Sequence, residues 1–185
     1  MSEMRDRKEF VKRTKEILKK EFYNFVHKDR EVTFLLNCLL GLIVTVSEIE
    51  KAEGNKVLDG EIDDKFLALI PKKIGFVNEK DGVDEDLGLI NKKTVAELNI
   101  HVCHWDELSR KKKSWLLSKI RNGIAHLNIE WENDNEKIKA IKLWNKPFGP
   151  KNAKKKDFEI IFEIEKLRKF AIGLSTKYLN SKKTR

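Results

Sequence analysis

The chain has 185 residues, with 39 Lys and Arg against 30 Asp and Glu, for a net charge of +9. This length suits one domain with a sizeable core and excludes two comfortable ones. The basic excess favours polyanionic partners, RNA or DNA first, because each phosphate contact releases condensed counterions, although abundant charge of both signs also keeps a small protein soluble.

The opening residues, MSEMRDRKEFVKR, are charged from the outset and lack the apolar core of a secretory signal, so a cytoplasmic location is expected. Phe10, Val11, Ile17, Leu18, Phe22 and Phe25 recur at helical spacing and predict an amphipathic helix over residues 5 to 27. A second helix is predicted from 32 to about 51, with Asp29 as its N-cap. Its apolar run from Val32 to Val46 is interrupted by Asn37 and stops after about 15 residues, short of the roughly 20 that span a membrane, so it reads as a core helix buried on most sides. Cys38, inside that run, and Cys103 are far apart and form no CxxC pair, which suits reduced thiols.

Residues 53 to 105 are turn-rich and acidic around the apolar KFLALIPKKIGFV, which Pro71 breaks, and they read as an insertion of short elements that covers one end of the helical core or carries partner contacts. Asp106 then offers an N-cap to a helix running through Leu127, with Trp115 or Leu116, Ile120, Ile124 and Leu127 as its apolar stripe. After it the period changes. Ile129 and Trp131, then Ile138, Ala140 or Ile141, and Leu143, alternate around an Asn133-Asp134-Asn135 turn and predict a β-hairpin. FEIIFEIE, from 158 to 165, predicts a third strand, and Leu167, Phe170, Ala171, Leu174 and Tyr178 mark a last helix before a basic tail at 180–185. The expected fold is mainly α: a single domain over 1–185, built as a helical bundle with a small antiparallel appendage in its C-terminal third.

The sequence has no Gly-rich phosphate loop, HExxH, paired-Cys zinc pattern or GxSxG elbow. His101, Cys103 and His104 lie close together, but with no second ligand cluster at a recognisable spacing they imply packing or surface roles, and no metal or cofactor is expected. The remaining candidate is Arg121-Asn122-Gly-Ile-Ala-His126. On a regular helix Asn122 and His126 share a face, whereas Arg121 stands about 140° round from His126 and roughly 7.5 Å along the axis. Either the arginine reaches round or the helix ends at His126. A guanidinium can hold a phosphate and stabilise charge growing on its oxygens, and an imidazole can move a proton near neutral pH. An Asn amide can orient either, and no metal is required if the nucleophile is the 2′-hydroxyl of the substrate itself, which makes the substrate RNA. The bare spacing is common in chains of this composition, and by itself it favours a solvated helix face ending in a histidine stabilised by the helix dipole.

The Arg-Asn-x-x-x-His string, late in a small helical chain and preceded by the long apolar helix REVTFLLNCLLGLIVTVSEIE, resembles the R-x(4–6)-H motif of the HEPN superfamily, in a plasmid- and prophage-type branch. The resemblance covers most of the chain, but the 53 to 105 insertion and the hairpin exceed a minimal HEPN bundle. It implies an all-α up-and-down core and a symmetric dimer whose motif helices face each other across a cleft. It also implies metal-independent endoribonuclease activity, often in toxin or anti-phage systems, with Arg121, Asn122 and His126 as catalytic residues. Two other readings stay open: a non-catalytic RNA-binding or dimerisation module, and a partner subunit that binds nucleotide or is regulated by a nucleotidyltransferase-type antitoxin. Phosphates could be tracked by Arg110, Lys111, Lys112 and Lys113 on the first part of the motif helix, and by Lys151, Lys154, Lys155 and Lys156 in the later loop. Trp131, Trp144 and Phe148 could stack on unpaired bases, although both tryptophans suit the packing of the hairpin.

Overall fold

A computed structural model describes residues 7–53, 58, 60–76, 83–84, 89–90, 105–134, 137–146 and 156–181. The expected first helix is two: α1 (Arg7–Lys20) and α2 (Phe22–Val26), broken at Glu21, so that Phe22 turns into the core. Asp29 does not cap the next helix. It adopts φ 51°, and the bonds from Asp29 N–H to the Val26 carbonyl (3.1 Å) and from Arg30 N–H to the Phe25 carbonyl (3.0 Å) close the preceding helical segment instead. This is the left-handed end that releases a chain from a helix, at a residue type that tolerates it.

α3 (Glu31–Glu53) is the central helix and packs against α1. Leu35, Leu39, Leu42, Ile43 and Val46 are buried at helical spacing, but Thr33, Asn37, Val44 and Glu48 are exposed. The helix is therefore less enclosed than its composition suggested. Its first 18 residues, which extend the apolar run by Glu31, Ser47 and Glu48, have a mean hydropathy of 1.6, enough by length and composition alone to cross a membrane. Here that apolar face lies in the same core cluster as residues from both ends of the chain.

The segment expected as an insertion contains α4 (Asp64–Leu67), β1 (Ile74–Phe76), the two-residue strands β2 (Val83–Asp84) and β3 (Leu89–Ile90), which pair with each other, and α5 (Trp105–Leu108). It does more than cover one end, since Leu58, Ile62, Phe66, Leu67, Ile70, Ile74 and Phe76 all belong to the main core. β1 also corrects the three-strand expectation. With β4 (Ile129–Asp134), β5 (Lys137–Asn145) and β6 (Phe158–Glu163) it forms a four-stranded antiparallel sheet of order β1-β6-β5-β4. All three β1 residues are buried, so no alternation marks it as a strand. The hairpin is present, but Asn133 and Asp134, expected in its turn, are strand residues opposite Ile138 and Lys137 beyond a bulge.

β6 ends at Glu163, two residues earlier than expected, and α7 (Ile164–Ser181) follows directly, burying Leu167, Phe170, Ala171, Leu174 and Tyr178 against α1 and α3. Ile141, Leu143, Phe158, Ile160 and Phe162 face the helices, whereas Ala140 and Ile161 form a small cluster on the opposite face of the sheet. The described residues thus build a mainly α protein with an antiparallel β appendage.

Candidate active site

The motif helix α6 (Lys113–Ala125) begins later than the sequence suggests. Asp106 lies in α5, and residues 109–112 turn between the two helices, so Arg110, Lys111 and Lys112 precede the motif helix rather than riding on it. No side chain caps its start: Lys112 is the N-cap residue and makes no capping bond. Instead the Lys113 N–H reaches the Gly60 carbonyl (3.1 Å) and the Ser114 N–H the Leu58 carbonyl (2.9 Å), so Gly60 and Leu58 supply the acceptors that helix-initial donors lack. Asp63 adds a side-chain tie. It accepts the Phe66 N–H (2.8 Å) as the N-cap of α4 and pairs with Lys113 (2.7 Å) and Lys177 (3.0 Å). The Lys113 ammonium, followed by Lys177 and the Phe66 N–H, holds the Asp63 carboxyl well below the usual carboxylate range against the opposing effect of burial.

Leu116, Leu117, Ile120, Gly123 and Ile124 form the buried face of α6. A Cβ at Gly123 would lie 3.3 Å from the Trp144 carbonyl oxygen and 3.5 Å from Leu143 Cβ, so glycine lets the motif helix rest directly on β5. Lys119 pairs with the nearly buried Asp157 (2.5 Å), and the Asn145 side-chain amide donates to the Lys119 carbonyl. None of these anchors, Asp63, Lys119, Asn145, Asp157 or Lys177, was singled out from the sequence. The partners of Lys119 are 38 and 26 residues away, and no local pattern links them.

The helix ends in the middle of the motif. Asn128 N–H bonds to the Gly123 carbonyl (2.8 Å), Leu127 N–H to the Ile124 carbonyl (3.1 Å), and Leu127 adopts φ 53°. This is again a left-handed C-terminal cap, and it makes His126 the last half-helical residue. Leu127, expected in the apolar stripe, is 80% exposed because the reversal at φ 53° turns the chain away from the buried face.

Arg121 and His126 are exposed and Asn122 is half-buried. The Arg121 guanidinium folds round to Asn122, donating from Nε (3.1 Å) and Nη2 (2.6 Å) to Asn122 Oδ1. His126 retains the one-turn relation to Asn122 through its N–H to the Asn122 carbonyl (3.0 Å). Asn122 therefore stands between a tethered guanidinium and the imidazole-bearing residue. No hydrogen bond or ion pair joins Arg121 to His126 among the described residues.

The proposed phosphate-tracking residues divide. Arg110 and Lys112 are exposed. Lys111 lies over the Phe76 and Trp115 rings at 5.8 and 5.4 Å, while Lys113 is held by Asp63 and sits over Phe66. Lys156 is paired with Glu130 (2.8 Å) and Glu159 (2.9 Å) and covers the Trp144 ring. Lys151, Lys154, Lys155, Phe148 and the His101-Cys103-His104 group lie outside the described residues. Trp131 is 50% exposed on the edge strand β4, which leaves an aromatic face open beyond its packing role. Among the described residues no group of three or more His, Cys, Asp or Glu side chains could hold a metal ion.

No curated protein and no solved structure matches the chain. The family model described as HEPN pEK499 p136 matches residues 1–185, and with the late Arg-Asn-x-x-x-His helix in a mainly α bundle this places the chain in the HEPN superfamily, a family that includes ribonucleases.

Proposed function

We propose that this protein is a metal-independent endoribonuclease of the toxin or anti-phage type, acting through Arg121, Asn122 and His126. The observation that carries the proposal is the tether between Arg121 and Asn122 beside an exposed histidine. An exposed arginine ordinarily samples many rotamers, whereas here an amide oxygen restrains the guanidinium, and pre-ordering reduces the entropy lost on binding. The His126 imidazole takes the proton from the 2′-hydroxyl, the 2′-oxygen attacks phosphorus, and the bond to the 5′-oxygen breaks. Arg121 stabilises the charge that grows on the non-bridging oxygens. The leaving 5′-oxygen needs a proton, and one imidazole cannot give and take it in the same step. A second copy facing the first across its motif helix supplies that acid, so the working unit is a homodimer and the products are a 2′,3′-cyclic phosphate and a 5′-hydroxyl. The partner in this reading is RNA, held by the exposed Arg110 and Lys112 and by Lys151, Lys154 and Lys155, with bases stacked on Trp131.

The test incubates the purified protein with mixed RNA in EDTA. EDTA-resistant cleavage that falls by about 10² or more in His126→Ala, with RNA affinity nearly unchanged, is the expected result. Cleavage of an RNA carrying a 2′-deoxy nucleotide at the cut site, or a 5′-phosphate product, would show that water attacks and would overturn the proposal.

A further inference from the structure

Lys119, Asn122 and His126 fall at steps of three and then four residues along α6 and its cap, so the three share one face of the motif helix. On a regular helix Lys119 precedes Asn122 by about 4.5 Å along the axis, on the side away from His126. Its ammonium is held there. Lys119 Nζ donates to Asp157 Oδ2 (2.5 Å), and the Asn145 side-chain amide donates to the Lys119 carbonyl, so head and backbone of the same residue are both fixed to the sheet. Asp157 is fixed in turn, since its N–H donates to the Asn145 carbonyl (2.9 Å).

Three features set this lysine apart from a purely structural one. The Asp157 side chain is 9% exposed and that of Lys119 23%, which puts the carboxylate behind and the ammonium nearer to solvent. An ammonium carries more than one donor, and Asp157 is the one carboxylate that reaches Lys119 among the described residues, whereas Lys156 is held between Glu130 and Glu159. No Asp or Glu occurs between Glu107 and Glu130, so the motif helix itself brings no negative charge to repel a phosphate.

We propose that Lys119 seats the phosphate next to the scissile one on the RNA strand, on the side of Arg121 away from His126. Asp157 and Asn145 are positioning residues that keep the ammonium on the motif face before RNA arrives, which reduces the entropy lost on binding. Arg121 serves the scissile phosphate, and Lys119 adds a contact made equally before and during the reaction. The identity of the strand rests on the ribonuclease reading, whereas the seat itself is tested by binding alone.

A short labelled RNA, 2′-O-methylated throughout so that no 2′-hydroxyl can attack, is titrated with the full chain by fluorescence anisotropy across a salt series. The variant is Lys119→Gln with Asp157→Asn, which removes both charges together and leaves no uncompensated carboxylate in the fold. It binds about tenfold more weakly at low salt, and its slope of log affinity against log salt is shallower by about 0.7, the value for one phosphate on a single strand. Lys119→Arg, which keeps the charge beside Asp157, retains the wild-type slope. On unmodified RNA the double variant raises KM and leaves kcat within about twofold. Bound RNA also protects Lys119 of the wild-type chain from amine acylation, a readout that needs no variant. An unchanged slope, or Lys119 left open to acylation, would overturn the seat and leave its pair with Asp157 as a structural tie. A fall in kcat at unchanged KM would overturn it too, by placing Lys119 in the chemical step. If the wild type cleaves no RNA while the slope still falls and Lys119 is protected, the ribonuclease reading fails and the phosphate seat stands.

Discussion

Replacing Asn122 with alanine isolates what the tether contributes to catalysis. Arg121 donates twice, but both donors converge on the single Oδ1 atom, at 3.1 and 2.6 Å, so they count as one charge-assisted interaction rather than two. Hydrogen bonds to charged groups contribute about 1.5–3 kcal/mol, and the exposed guanidinium and half-buried amide put this one at the lower end. Losing about 1.5 kcal/mol of positioning slows cleavage roughly tenfold. Arg121→Ala, which removes the charge itself, costs about 10²–10³. Single-turnover cleavage of a labelled oligoribonucleotide, with a thermal melt to confirm the fold, separates the two variants. A rate for Asn122→Ala within twofold of wild type would show that the tether does not matter for catalysis. A loss equal to that of Arg121→Ala would make Asn122 a direct participant, and either result would refute positioning as its role.

Leu127→Gly should raise the melting temperature by about 2–4 °C, since glycine relieves roughly 1 kcal/mol of left-handed strain and an 80% exposed leucine gives up little burial; an unchanged or lower value would mean that its side chain makes stabilising contacts. Asp63→Ala should lower the melting temperature at neutral pH by about 3–6 °C, mostly through the lost α4 cap at about 1 kcal/mol, because its carboxylate is half exposed and its ion pairs add little. The Asp63 carboxyl titrates lower in the folded chain than in the unfolded one, so its stabilisation is present above about pH 4 and fades as pH falls through the folded value. The gap between wild type and variant should therefore close in acid, and a gap that persists unchanged there would refute the electrostatic part. Light scattering at micromolar concentration should report twice the chain mass, and a monomer would count against the shared acid-base site.

Much of the architecture was legible because it is local. The buried positions of α3 and α7 repeat with the helical period, and the helix-facing residues of β5 and β6 (Ile141 and Leu143, Phe158, Ile160 and Phe162) recur every second position, while Ala140 and Ile161 beside them are buried on the other face. Arg121, Asn122 and His126 were legible for the same reason: they lie within six consecutive residues. The ambiguity left by ideal helical geometry was resolved in both ways at once, with the arginine reaching round to Asn122 and the helix ending at His126.

What the tertiary structure alone decided concerns partners distant in sequence. The start of the motif helix moved from Asp106 to Lys113 because carbonyls of Leu58 and Gly60 satisfy its first donors. β1 became a strand because β6 pairs with it, not because three buried residues carry any period. Lys113 and Lys156, indistinguishable in sequence from phosphate-binding lysines, are held by Asp63 and by Glu130 and Glu159. A sequence carries the spacing of its own side chains, and that spacing fixes which faces are apolar and which short motifs share a helix. Whether a given donor, carboxylate or ammonium is already satisfied depends on chain segments brought together only by burying the core, and that was settled by the fold.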